Sequence, residues 1–386
     1  MIFDKKNVFK QFDEFVHNPA IDGRHIDYDL SKHNWSEWFL ESARELRPSL
    51  TRLEDIHLHF SVGELLSVRQ QFEKLSRSRE FSQRIDSFFQ EYITPLLGRD
   101  DYLLQSTCGI RVVVPDQIKL GRLLVFHNGY WTGYNNQTGT VWTPLTEAYD
   151  TNTMQMVSFE DTRKLMDKIY EGKLEFDEIQ ELCYEKCFPI NLKPGQSWLF
   201  NQANLHGNVN NETGYTRVSF DCRWALPEGN FGIRRPGAYY RPQGIHHEMD
   251  SSKIKKGNWV TFVDQNSDFV GLTPHYMIKE FMFQYIKTRK LDIDITEFHN
   301  AMWYMGEWEP RLRNFLSCTD LDGMVMPSIY AFACDTDLRL ELWHEAVKNN
   351  IQLLFCDENI LVTEEKDIEL IKKLYAIEKR NNGLAT

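Results

Sequence analysis

The sequence predicts a multidomain α+β protein, and three observations lead there. A chain of 386 residues is too long for one compact core. Residues 1–100 repeat apolar positions at helical spacing, whereas the stretch from Leu103 to Trp224 is dominated by short strand-like runs. Beyond a Gly- and Pro-rich break, strands and helices alternate from Trp259 onward, which is the pattern of βαβ units and a small, mainly parallel sheet. The division expected is a first domain at 1–228, a linker at 229–257 and a small α/β domain at 258–386.

Apolar residues make up 42% of the chain and aromatic residues 13%, enough to fill large cores and too much for a disordered chain. The formal net charge is −12, from 44 Lys+Arg against 56 Asp+Glu, with no basic stripe. That balance argues against nucleic acid and for small-molecule or protein partners. No apolar run approaches the ~18 residues of a membrane span, and no basic-then-apolar signal opens the chain. No membrane association is therefore expected, and the cytoplasm is the expected compartment. Seven cysteines without a CxxC pair read as reduced thiols, and the spacing of Cys183 and Cys187 is that of core packing on one helical face.

In chain order, Trp35 to Leu46, Val62 to Leu75 and Arg79 to Ile93 carry helical periodicity, with Asn34 as a cap for the first and Pro95 as the stop for the third. These helices either buttress a sheet or form a separate dimerisation unit, which leaves a homo-oligomer open. His57 and His59 alternate with Leu58 and Phe60 as on a strand, and read as surface or substrate-lining residues. Ile110 to Val114 is a strand ended by Pro115; Arg111 within it is either solvated or turned into a cleft. The apolar run Leu123 to Phe126 ends on His127 and is followed by a loop holding Tyr130 and Trp131. Thr140 to Leu145 is the next strand, and Tyr149 to Thr153, with Asn152, has turn chemistry. Phe159 to Leu182 is a charged helical insertion, read as a solvated cover or a lid. Pro194-Gly195 turns the chain into Gln196 to Phe200, which ends near His206, and Arg217 to Arg223 alternates apolar and polar residues like a half-buried strand. Arg234, Arg235 and Arg241 with Tyr239 and Tyr240 suit an anionic group near the site, or a solvated linker. Further strands are expected at Trp259 to Asp264, Gly323 onward, Ile351 to Cys356 and Ile360 to Thr363, with helices at His275 to Arg289, Leu338 to Val347 and Glu364 to Arg380.

Two histidines at strand ends, with an arginine eleven positions after the second, suit one chemistry well. A facial triad of two His and one carboxylate holds Fe(II) with open positions, and a guanidinium fork suits a dicarboxylate. On His127, the Thr-Val-Trp-Thr-Pro-Leu strand, His206 and Arg217, the chain resembles the phytanoyl-hydroxylase-like branch of the Fe(II)/2-oxoglutarate oxygenases, and within it the oxygenases of sporadic carbohydrate biosynthesis clusters and of the streptomycin cluster. The resemblance implies a double-stranded β-helix (jelly-roll) barrel behind the N-terminal helices. It implies Fe(II) on His127 and His206, and 2-oxoglutarate on Arg217 with Ser219 and Thr140 beside it. A sugar or nucleotide-linked sugar is the implied substrate, with Arg111, Tyr130, Trp131, Asn152 and Arg223 as candidate contacts. The C-terminal segment resembles the small proteins encoded beside those oxygenases, here fused to one; it carries no G-x-G-x-x-G, P-loop or nucleophile elbow from which an activity could be read.

The chain departs from the family where the carboxylate ligand belongs, because Gly129 stands two residues after His127. Three readings follow: an oxygenase with water or another donor in the third place, a halogenase with chloride there, or a sugar-binding relic without catalysis. The oxygenase is the reading preferred.

Overall fold

The computed structural model describes residues 23–117, 125–134, 137–229, 231, 234–246, 249–264, 275–301, 308–332 and 335–382. Leu123 and Leu124 of the run before His127, together with His247 and Cys334, fall outside them. The chain divides into two compact units, one of Met1–Arg235 with Tyr239–Gly244 and the other of Pro236–Ala238 with Ile245–Thr386. Among the described residues, no helix is long and apolar enough to cross a membrane.

The first unit is built on an antiparallel sheet. Its strands are β1 (Arg24–Asp27), β2 (Leu103–Gln105), β3 (Gly109–Val113), β4 (Thr138–Pro144), β7 (Gln196–Asn201), β9 (Arg217–Ala225) and β10 (Tyr240–Pro242), in the order β1-β7-β4-β9-β2-β10, with β3 also pairing β9. A smaller sheet joins β6 (Phe188–Pro189), β5 (Gln155–Met156) and β8 (His206–Gly207). The nine-residue β9 is the spine, and its period of two divides the unit. Val218, Phe220, Cys222 and Trp224 enter the main core with Ile110, Val112, Val141 and Leu199. Arg217, Ser219, Asp221 and Arg223 are left to the opposite face.

Helices close the apolar face. Trp35–Arg44 begins where the Asn34 side chain accepts from the Glu37 amide, and Arg79–Phe88 begins at Ser78, which accepts from the Phe81 amide. Phe220 meets the rings of Trp35 and Phe81 edge-on at 5.5 and 5.7 Å. Burial of each such ring stabilises the fold by roughly 1.5–3 kcal/mol, so the helices are held by the sheet rather than by their own propensity.

Three expectations change. The third helix does not stop at Pro95: it passes through a π-helical turn, Phe89–Ile93, into Thr94–Leu97, where Pro95 sits in the first turn and needs no amide partner. His57 and His59 lie on a short helix, Ile56–His59, rather than a strand, and His57 Nδ1 bonds the Thr216 hydroxyl at 2.8 Å. The segment 229–257 is more than a linker, since it contributes β10, which pairs with β2 from Tyr240↔Gln105 to Pro242↔Leu103. Arg241 is anchored there by a fork onto Asp86, at 2.8 and 3.2 Å, although the segment shows no hydrophobic period.

The second unit carries β11 (Asn258–Asp264), β12 (Asp294–Ala301), β13 (Gly323–Met326), β14 (Gln352–Phe355) and β15 (Ile360–Val362), in the order β12-β11-β13-β14-β15. All neighbours are parallel except β15, which runs antiparallel to β14. Both faces are covered: Val260, Phe262, Met324 and Leu353 enter one core, and Trp259, Val263, Val325 and Leu354 enter another. That two-sided burial explains why these strands read as nearly continuous apolar runs. The helix Thr336–Lys348 starts on Asp335, whose side chain accepts from the Leu338 amide.

Candidate metal and anion site

His127 and His206 face each other through their main chains. The His127 amide donates to the His206 carbonyl at 3.0 Å and the His206 amide returns the bond at 2.9 Å, and the rings lie 4.5 Å apart at 50°. Helix residue Gln180 fixes the segment before His127: its Oε1 accepts from the Phe126 amide at 2.6 Å and its Nε2 donates to the Phe126 carbonyl at 3.0 Å. The charged insertion, now two helices at Phe159–Tyr170 and Phe176–Lys186, thus packs as support for the first histidine.

The ring chemistry suits a cation. His206 Nδ1 lies 2.8 Å from the Asn204 carbonyl, and His127 Nδ1 lies 3.4 Å from that of Val125. A carbonyl only accepts, so Nδ1 carries the proton and Nε2 keeps its lone pair. Burial, and then the neighbouring His127, push His206 down to about 3, and burial lowers His127 as well. Both imidazoles are neutral at pH 7, the form in which a histidine can take a metal.

Three arginines share their cavity: Arg111, Arg217 and Arg223 line it together with Asp221, Thr140, Trp142 and both histidines. Arg223 is matched, with Nη1 2.5 Å from Asp221 Oδ2 and 3.1 Å from Gln105 Oε1. Arg217 is not. It is 1% exposed, donates from Nη2 to Asn208 Oδ1 at 3.0 Å, and its buried Nε has no partner among the described residues. Burial, followed by the charge of Arg111, lowers it to about 9. A buried guanidinium without a carboxylate in contact is costly unless an anion joins it.

No family model matches the chain, and no curated protein does. Solved structures are similar only distantly. The α-ketoglutarate-dependent epimerase SnoN from nogalamycin biosynthesis is 14% identical over 64% of this chain and 90% of its own, with a TM-score of 0.34. EctD from S. alaskensis in its apoform is 14% identical over 61% and 85%, with a TM-score of 0.35. A resolvase-family site-specific recombinase from Streptococcus pneumoniae is 12% identical over 34% and 93%, with a TM-score of 0.27. Likenesses this distant assign no activity, and the chemistry rests on the side chains.

Of the residues singled out by sequence, His127, His206, Arg217, Arg223, Thr140 and Arg111 come together in the cavity. Ser219 lies on the same face of β9, fully buried, and accepts from Trp142 Nε1 at 3.2 Å. Asn152 does not join them: its Oδ1 accepts from the Tyr149 amide and its Nδ2 donates to Thr213 Oγ1, which makes it the buried strut of a turn. Tyr130 and Trp131 form a 3₁₀ turn outside the cavity lining, Tyr130 packing near Met166 and Ala203 and Trp131 38% exposed. Tyr134, further along the same loop, does meet arginines, with Arg223 at 4.8 Å and Arg234 at 4.0 Å from its ring centre.

Gly129 has a packing reason. A Cβ at this position would lie 2.2 Å from Gln202 Oε1 and 2.7 Å from Gln202 Cβ. The Gly129 amide donates to the Gln202 carbonyl at 2.6 Å, and the Asn128 side chain caps the turn by accepting from the Trp131 amide at 3.0 Å. The room that a carboxylate would need is filled by the side chain of Gln202, itself 2% exposed and donating from Nε2 to Thr140 Oγ1.

Proposed function

We propose that the first unit is an Fe(II)- and 2-oxoglutarate-dependent oxygenase on a jelly-roll barrel, oxidising a C–H bond of an anionic carbohydrate such as a nucleotide-linked sugar. The observation that carries the reading is Arg217, a fully buried guanidinium with an orphaned Nε in the same cavity as two neutral histidines. The residues fit both groups: His127 and His206 offer Nε2 donors of the type iron takes, and Arg217 offers the fork a distal carboxylate takes. When bound, iron would activate dioxygen, the oxidant of the hydroxylation, with the keto acid supplying two of the four electrons that dioxygen takes up. The chain orients and excludes water. Thr140 and Trp142 flank the anion site, and Trp142 is held by Ser219 with the Arg217 guanidinium 5.4 Å from its ring centre.

Charge supports an anionic substrate. With Arg223 matched by Asp221 and Arg217 assigned to the cosubstrate, Arg111 remains, a lining residue with no ion pair among the described residues. It suits a phosphate or carboxylate of the substrate. A halogenase reading is disfavoured because Gln202 fills the space beside Gly129. Anaerobic titration of apo-protein with Fe(II) and 2-oxoglutarate tests the proposal. A visible charge-transfer band is expected for wild type and not for His206→Ala; no band in either would refute it.

A further inference from the structure

We propose that Arg234, seated against Tyr134 and Tyr239 beside the cavity, binds a phosphoryl group at the non-reacting end of the substrate. The inference rests on the reading above and narrows it: the carbohydrate oxidised would carry its phosphate apart from the carbon that reacts. Its basis is a guanidinium that meets rings and no acceptor. Arg234 is half-buried, with its guanidinium carbon 4.0 Å from the Tyr134 ring centre and 5.3 Å from that of Tyr239. The two tyrosine hydroxyls bond each other. Nε and Nη1 of Arg234 are shielded from solvent, and neither has a hydrogen-bond partner among the described residues. The carboxylates of this region face other arginines: Asp221 pairs with Arg223, Asp86 with Arg241 and Glu228 with Arg99. Ring faces attract a cation, but they leave the in-plane donors of a guanidinium unanswered, which is costly unless an anion supplies oxygens.

The chain is shaped around this group. The loop that starts at His127 runs through the turn at Tyr130–Thr132 to Gly133, where φ is +84° and a Cβ would lie 2.7 Å from Arg234 Nη1. A residue without a side chain lets the loop close on the guanidinium there. Tyr134 also ties the group to the cavity, because the guanidinium of Arg223, which lines the cavity with both histidines, lies 4.8 Å from the same ring centre. Arg223 is matched by Asp221, and Arg234 has no such partner among the described residues. A substrate that reacts at the histidines and extends past Arg223 therefore arrives at an unmatched cation. Of the anions a carbohydrate can carry, a phosphoryl group suits that cation best: its several oxygens meet separate donors of one guanidinium, and its charge can exceed that of a single carboxylate.

The test is anion binding, read separately from the iron site. Full-length metal-free protein, saturated with 2-oxoglutarate so that Arg217 is occupied, is titrated calorimetrically with inorganic pyrophosphate and, as a carboxylate control, with malonate. Wild type, Arg234→Met and Arg234→Gln are compared, and each is also checked for the visible band formed with Fe(II) and 2-oxoglutarate. Wild type is expected to bind pyrophosphate more tightly than malonate, and both variants to lose pyrophosphate affinity by about tenfold or more with the band unchanged. If both variants bind pyrophosphate as wild type does, or wild type binds malonate equally well, the phosphate assignment is overturned while the band still supports the oxygenase. Loss of the band together with pyrophosphate affinity in both variants would overturn it too, since Arg234 would then be holding up the cavity. A wild type that shows no band but binds pyrophosphate through Arg234 would keep the phosphate site and sink the iron reading.

Discussion

Arg217→Met should make the cofactor-free protein more stable while removing its response to 2-oxoglutarate. The guanidinium is 1% exposed, is lowered to about 9 chiefly by burial, and among the described residues makes one side-chain hydrogen bond, to Asn208. Replacing a poorly matched buried charge with an apolar side chain of similar length commonly stabilises by about 1–4 kcal/mol. Loss of the Asn208 bond takes back about 1 kcal/mol, so a net gain of roughly 1–3 kcal/mol is expected in urea unfolding at pH 7. The sign has a pH signature. Because the folded state holds this proton more weakly than the unfolded one, the penalty is present below about 9 and fades as pH rises beyond it. The difference between wild type and variant should therefore narrow from pH 8 to pH 10. In wild type, 2-oxoglutarate at 100 times its Kd should add about 2.7 kcal/mol, and in the variant nothing. A destabilised variant that still responds to 2-oxoglutarate would refute the reasoning.

Gly129→Ala should cost about 1–3 kcal/mol by overpacking against Gln202, and most of that should return in a Gln202→Ala background; additive effects in a double-mutant cycle would show that the two side chains do not collide. His206, held near 3 in the fold against about 6.5 for a free imidazole, contributes stability that is present above pH 6.5 and lost as pH falls toward 3. Urea midpoints at pH 7 and pH 4.5 should diverge less in His206→Asn than in wild type, and equal divergence would count against a neutral buried ring. Arg241→Ala, which takes the guanidinium fork from Asp86 and leaves it the Gly244 amide, should lower unfolding free energy by about 2–3 kcal/mol; a change below about 0.5 kcal/mol would mean that the segment is a solvated linker after all.

Much of this was legible where local rules and tertiary structure agree. Asn34 before Trp35-Ser36-Glu37 is a cap in sequence and in space, and the alternation from Arg217 to Arg223 places its polar residues on one face of β9. Asp221 follows from the same rule, two residues from both Ser219 and Arg223. Arg111 needed its partner strand: pairing with Ser219 on β9 turns it to the cavity, which no single-strand pattern specifies. The alternation of Ile56 to Phe60 misled because a window of five residues fits either period, and the turn of helix it adopts is set by packing of Ile56 into the core. Strand β10 was illegible because its stability comes from the Asp86 fork and from β2 rather than from hydrophobic spacing. Gln202 against Gly129 is a contact between distant segments, and a glycine in a sequence does not say what occupies the room it leaves.

The paired main-chain bonds between His127 and His206 give the site a second use as a reporter of assembly. The two imidazoles become neighbours only after the segment behind Phe126 has met β8, so a chain that has collapsed without that meeting offers a cation two isolated histidines and no chelate. Metal uptake would then count the fraction of molecules whose distant segments have closed. A divalent ion present during refolding would act as a clasp, drawing the population toward the closed arrangement by mass action.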